Sequence, residues 1–286
     1  MKKQAPDLFT AQYKEFYDMA VAMPLEDKIE EAIELLRAWE WKALQSSPFG
    51  YYLAFSGGKD SIVIDKLAQM AGVKYTPFYN NVTIDPPELV RFLKRQYPHV
   101  PWNNYGCSLP LSMKDESQGP PTRVSRWCCE KYKEQGGNGR SKIIGVRGEE
   151  SANRKTLWRP ITKSNKWNDL IFCPIAYWTD ANVWTFIRAN EMPYCELYDQ
   201  GYTRLGCIGC PQTGPKGQTR DFARWPRYET LWKKGFQIYW DTWKGVPRLD
   251  GNPRWIEKLP NVEALWQWWR SGEAYDPEND CQTYQW

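Results

Sequence analysis

The chain has 286 residues, a net charge of +4 and a single histidine, His99. One histidine excludes zinc sites built on paired histidines and would have to carry any Ser-His-Asp chemistry from between Pro98 and Pro101, where a structural role is expected. No apolar run approaches the roughly 20 residues that cross a bilayer, and Met1-Lys2-Lys3 leads into polar Gln4 and Asp7, so a cytoplasmic chain with no membrane partner is expected.

Residues 1–24 show no clear period and read as an irregular or loosely helical arm. From Leu25 to Gln45 the pattern turns helical, with Ile29, Ala32, Ile33, Leu36 and Ala43 on one face, and Ser46 to Gly50 end it. Tyr51 to Phe55 is a short apolar run that reads as a buried strand. Ser56-Gly57-Gly58-Lys59-Asp60-Ser61 follows, and Ile62, Ile64, Leu67, Ala68 and Ala71 then recur at helical spacing up to a stop at Gly72. A strand, a glycine turn and a helix make backbone N–H groups converge at the positive end of a helix dipole, which suits a phosphate. It is not a Walker A loop, because the earlier glycine of that motif would fall on Leu53. The bland alternative is an ordinary strand-to-helix connection, against which six residues in this order argue.

This SGGKDS stretch resembles the pyrophosphate loop of the PP-loop ATP-pyrophosphatase and phosphoadenosine-phosphosulfate (PAPS) reductase superfamily. The resemblance implies an α/β fold, a doubly wound and mostly parallel sheet flanked by helices (adenine nucleotide alpha hydrolase-like). It also implies that an adenine nucleotide, ATP or PAPS/APS, is held by Ser56, Gly57, Gly58, Lys59, Asp60 and Ser61. Further along, a strand from Tyr75 to Tyr79 precedes Asn81-Val82-Thr83 and Pro87-Glu88, which opens a helix to about Gln96. This is similar to the family's Asp-Thr-Gly-x-x-x-Pro-Glu-Thr segment, without its first aspartate. Residues 101–140 are loop-rich and contain Cys128-Cys129. A strand from Lys142 to Val146 feeds Arg147…Arg154, which resembles the family's Gly-x-Arg-x-x-x-Ser-x-x-Arg substrate-phosphate segment. Two guanidiniums at a strand end offer fork-shaped donors to phosphate or sulfate oxygens. The competing reading is two surface arginines paired with Glu149 and Glu150. A strand from Leu170 to Cys173, a cap at Thr179 and a helix from Asp180 to Ala189 match the family's Pro-Ile-x-x-Trp…Asp-Val-Trp signature, with Asn182 in the aspartate's place. The run from Pro193 to Pro211 completes a resemblance that covers about residues 50 to 212.

Of the eight cysteines, Cys128-Cys129 and Cys207-x-x-Cys210 form two pairs. In a reducing compartment such thiols are metal ligands or redox groups more often than disulfides, and a four-cysteine zinc site is the generic alternative. The resemblance to the adenosine-phosphosulfate (APS) reductase branch implies instead a 4Fe-4S cluster on all four. Cys107, Cys173 and Cys195 read as buried or incidental. Sulfonucleotide reductases also carry a catalytic cysteine in a C-terminal Glu-Cys-Gly-x-His context, delivering sulfite with a thioredoxin-like reductant. Here Cys281 stands near the C-terminus without that motif. Lys59 resembles superfamily members that act on ATP. A cation there neutralises charge on departing pyrophosphate, and Asp60 could help hold Mg²⁺.

The expected organisation is an N-terminal helical arm (1–48), a PP-loop domain carrying the Fe–S cysteines (49–212) and a Trp-rich helical extension (213–286). The seventeen tryptophans, many in that extension, read as core first and as base-stacking surfaces second. The functional expectation is sulfur chemistry. It is either reduction of an adenylyl sulfate or ATP-dependent sulfur transfer, with Lys59, Asp60 and Cys281 as catalytic candidates and nucleic-acid-modification proteins as possible partners. A non-catalytic nucleotide- or redox-sensing module is the alternative.

Overall fold

The computed structural model describes residues 8–163 and 170–272. Its helices are α1 (Leu8–Ala22), α2 (Leu25–Ser46), α3 (Lys59–Ala71), α4 (Pro87–Gln96), the single turn α5 (Trp127–Cys129), α6 (Ala152–Leu157), α7 (Asp180–Ala189), α8 (Gly214–Arg224), α9 (Pro226–Trp243) and α10 (Val262–Ser271). The strands are β1 (Tyr51–Ala54), β2 (Tyr75–Asn81), β3 (Trp102–Asn104), β4 (Lys142–Ile143), β5 (Ile161–Lys163) and β6 (Leu170–Phe172). No described helix is long and apolar enough to cross a membrane. The chain divides into two compact units, Met1–Asn80 with Glu88–Asn103 and Gly136–Arg204, and Asn81–Pro87 with Asn104–Gln135 and Leu205–Trp286. The N-terminal arm therefore joins the glycine-turn unit, and the cysteine segments join the C-terminal helices, a division that cuts across the three consecutive segments read from the sequence.

In the first unit the sheet order is β3-β2-β1-β4-β6-β5. Strand β1 pairs in parallel with β2 (Tyr51 opposite Tyr75) and with β4 (Leu53 opposite Ile143), β4 is parallel to β6, and β5 is antiparallel to β6. The fold is thus the mostly parallel α/β sheet expected. Chain order reverses between β1 and β4, and in such sheets ligands bind outside the carboxyl ends of the strands at that switch point. Residues Lys59 and Arg147 follow those two strands. Helix α3 buries Ile62, Val63, Ile64, Leu67 and Ala68 completely and ends at Gly72, whose φ of 68° only glycine adopts easily. It also buries Asp65, whose carboxylate accepts hydrogen bonds from Tyr75 (3.0 Å) and Gln69 (2.9 Å). The arm is helical as expected, and α1 is a regular helix although residues 1–24 show no clear period. Its order comes from tertiary contacts that periodicity does not reveal, with Tyr17 buried edge-on against Tyr177 (5.5 Å) and under the Lys155 amine (4.3 Å). Strand β4 is shorter than expected, and β3 and β5 went unread because three-residue strands carry too little pattern.

The second unit has an aromatic core. Trp232 and Phe236 on α9, Phe222 on α8, and Leu265, Trp266 and Trp269 on α10 are buried together, with Trp232 and Trp269 4.8 Å apart and Phe236 and Trp266 5.3 Å apart. The tryptophans here behave as core. Pro226 starts α9 afresh after Trp225, since a proline lacks the N–H that would continue α8.

Candidate nucleotide cradle and cysteine cluster

Gly57 has a φ of +73°, and a Cβ there would meet Leu93 at 2.6 Å, so both conformation and packing require glycine. The turn is held by its own hydroxyls. Ser56 Oγ accepts the Gly58 N–H (3.3 Å) and donates to Ser61 Oγ (3.2 Å), which donates to the Gly58 carbonyl (2.9 Å). Lys59 opens α3, and only 4% of it is exposed. Its amine donates to the Thr203 carbonyl (3.1 Å) and lies 3.3 Å from Asp180 and 3.6 Å from Asp60. Its backbone N–H donates to the Tyr198 hydroxyl at 2.9 Å.

Arg147 is not the open fork that the sequence suggested. It is 3% exposed, and its guanidinium donates to Asp60 (2.6 Å), Glu149 (2.9 Å) and Asp180 (3.0 Å). Following a central strand places it under the sheet's end, where a guanidinium must be paired or shed its water at great cost. Arg154 pairs with Glu150 across one turn. The glutamate pairings of the bland reading are therefore present, but Arg147 makes its own in the interior. Two cations and three carboxylates, Lys59 and Arg147 with Asp60, Glu149 and Asp180, share one polar cluster. Asp180, Tyr198 and Thr203 were missed as site residues. The signal for Asp180 was its place in the first turn of α7, right after the cap at Thr179, which accepts the Asn182 N–H as expected.

In the second unit Arg126 donates to Cys129 Sγ at 3.5 Å. The neighbouring Cys128 thiol, with help from Arg126 and Lys133, holds the Cys129 thiol below its ordinary range, and the same closeness together with burial pushes Cys128 up. Burial pushes Cys207 up to about 12 against the pull of Lys133, whose amine is in turn raised chiefly by Cys207. Cys128, Cys129, Cys207 and Cys210 all belong to this second unit. Among the described residues no three His, Cys, Asp or Glu groups gather closely enough to hold a single metal ion. Four sulfurs with Arg126 and Lys133 beside them form a donor set whose chemistry fits an anionic thiolate-held cluster. Lys133 is a further residue that sequence reading missed. Cys173 and Cys195 are buried as expected, whereas Cys107 is exposed. Cys281 lies outside the described residues.

The loop between Cys207 and Cys210 is braced by the extension. Gly209 has a φ of +73°, and a Cβ on it would strike Phe222 at 2.4 Å and Trp232 at 2.9 Å. Its N–H donates to Asp221 (3.2 Å), its carbonyl accepts from Gln218 (3.0 Å), and the Ile208 carbonyl accepts the Trp232 indole N–H (3.0 Å). Gln218 and Asp221 are both buried.

Residues 50–213 match the model of the phosphoadenosine phosphosulfate reductase domain. The chain belongs to that family. An adenosine 5'-phosphosulfate reductase of Bacillus thuringiensis is 25% identical over 224 residues, covering 74% of this chain and 93% of that protein. One from Staphylococcus epidermidis is 27% identical, covering 71% and 86%. An uncharacterized protein of Methanocaldococcus jannaschii is 26% identical over 76% of this chain, which spans 45% of that longer protein. Among solved structures, phosphoadenylyl-sulfate reductase from Candida auris in a phosphate complex covers 72% of this chain and 98% of its own, at a TM-score of 0.46 and 16% identity. The cradle, Arg147, Arg154 and all four paired cysteines fall inside the matched reductase-family region, whereas the braces from α8 and α9 lie beyond it.

Proposed function

We propose that this family member is an enzyme of sulfur chemistry that binds an adenylyl sulfate and carries a 4Fe-4S cluster on Cys128, Cys129, Cys207 and Cys210. What supports this most is that both cysteine pairs fall in one compact unit, with the Arg126 guanidinium 3.5 Å from Cys129 Sγ. Relatives named as adenosine 5'-phosphosulfate reductases add to it. When bound, such a cluster supplies a redox-active centre that spreads charge over iron and sulfide. The chain's own part is to bind and orient. Amides and hydroxyls of residues 56–61 receive phosphate oxygens at the positive end of α3. Lys59 and Arg147 hold the carboxylates of Asp60 and Asp180 in place at the edge of the cradle. Reduction requires a thiol nucleophile and a dithiol reductant of the thioredoxin type, and Cys281, a C-terminal cysteine without the family's motif, is the candidate for that thiol. Sulfite would leave together with AMP from APS, or adenosine 3',5'-bisphosphate from PAPS, with the reductant ending as a disulfide. The test is sulfite release from APS or PAPS by anaerobically purified protein, with iron and sulfide assayed on the same sample. Absence of sulfite, iron and sulfide together would refute the proposal.

A second reading rests on Lys59. An ammonium 3.3 Å from Asp180 and 3.6 Å from Asp60 suits a triphosphate that arrives with Mg²⁺ and loses pyrophosphate. Pyrophosphate release from ATP, without sulfite from APS or PAPS, would favour ATP-driven sulfur transfer to an acceptor.

A further inference from the structure

The segment from Cys195 to Thr203 makes two contacts with one residue of the cradle, and both fall on groups that a phosphate needs. The Tyr198 hydroxyl accepts the Lys59 N–H at 2.9 Å, the position that an anionic oxygen at the helix N-terminus would take. The Thr203 carbonyl accepts one of the three N–H groups of the Lys59 amine at 3.1 Å, and the Tyr198 ring lies 5.6 Å from the same amine. A backbone N–H forms one well-aligned hydrogen bond, so a phosphate oxygen can take that donor only after the phenol leaves it. Burial pushes the Tyr198 phenol up, so it stays a neutral hydroxyl and a weaker acceptor than a phosphate oxygen. Its ring packs edge-on against Trp184 at 5.1 Å, which holds the hydroxyl in place. Gly201, at a φ of +86° with open space around its missing Cβ, gives the segment a residue at which the backbone turns freely.

We propose that Tyr198 is a positioning residue that acts through Lys59: with the Thr203 carbonyl it latches the lysine in the ligand-free protein, and nucleotide phosphate binds by displacing it. The proposal rests on the cradle being the nucleotide site, and the sign of its effect separates it from a structural role. A tyrosine that only supports the fold or donates to the ligand would weaken binding when altered, whereas a latch strengthens it.

The experiment is calorimetric titration of the full chain and of Tyr198→Phe with ATP and with APS, alongside hydrogen exchange on the unaltered chain. The phenylalanine keeps the ring against Trp184 and removes only the competing oxygen. Expected are a Kd for the nucleotide about two- to tenfold lower in the variant, the equilibrium weight of one hydrogen bond. Nucleotide should protect residues 57–61 of the unaltered chain while exchange in 195–203 rises. Equal or weaker binding by Tyr198→Phe, or joint protection of both segments, overturns the latch and leaves the nucleotide site standing. If neither protein binds either nucleotide, the site assignment falls and the latch with it. Should the variant fail to fold, the exchange pattern of the unaltered chain decides alone.

Discussion

The two units hold their functional loops by opposite means. The glycine turn at 56–61 is secured by hydroxyls, a phenol and a five-member charge cluster, with Arg147 buried and Asp180 about half exposed. The Cys207–Cys210 loop is secured by buried aromatic rings and two buried polar side chains that bond to a single glycine. A site that must admit a polyanion and release its product needs contacts that can be exchanged for others. A site that keeps a permanent group, as the cysteine loop does under the proposed function, needs sulfurs that stay where they are. Polar pairings supply the first, because a ligand's oxygens can replace them at little net cost. Close packing supplies the second, because an interior at crystal-like density resists displacement.

Substitutions on the two sides should break in different ways. Asp60→Ala leaves the buried guanidinium of Arg147 without its nearest carboxylate, 2.6 Å away, and should cost about 3 kcal/mol of stability together with nucleotide binding, read by denaturant melts and calorimetry. Gly209→Ala forces a side chain into the left-handed region and against Phe222 and Trp232. It should cost about 2 kcal/mol and lower iron and sulfide content while leaving nucleotide affinity unchanged. Gln218→Ala removes the partner of the Gly209 carbonyl and should cost about 1 kcal/mol, with faster loss of iron to a chelator. If Gly209→Ala or Gln218→Ala changes nucleotide affinity as strongly as iron content, the division of labour between the two loops is wrong.

The smallest expected effect concerns Asp65. Burial pushes its carboxyl up despite the hydrogen bonds from Tyr75 and Gln69. A carboxyl raised in the folded state contributes stability that is fully present below the ordinary carboxylate range and is lost as pH rises through the raised value. Asp65→Asn should therefore flatten the pH dependence of melting between mildly acid and neutral solution. An unchanged profile would show that Asp65 keeps its ordinary affinity for protons.

Much of this was legible before any coordinates. The glycine turn between an apolar strand and a helix, the cap at Thr179 and the extent of α4 and α7 are local features, dictated by residues within one or two turns of each other. The two cysteine pairs could be read from spacing alone, and the tryptophans' role as core followed from their number. What the residues of Arg147…Arg154 do was not legible. Spacing shows two guanidiniums after a strand. Whether Arg147 faces water or three carboxylates depends on where β4 sits in the sheet, and that is decided by pairing between segments far apart in the chain.

The sequence by itself determined the family, the parallel α/β plan and the chemistry on offer: a phosphate-sized amide turn and four paired thiols. Tertiary structure alone decided which groups answer each other. It set Asp180 and Tyr198 on Lys59, and it set Asp221, Gln218 and Trp232 around Gly209, because contacts between residues about 10 to 140 positions apart arise only when elements pack. No local propensity encodes which surfaces will meet.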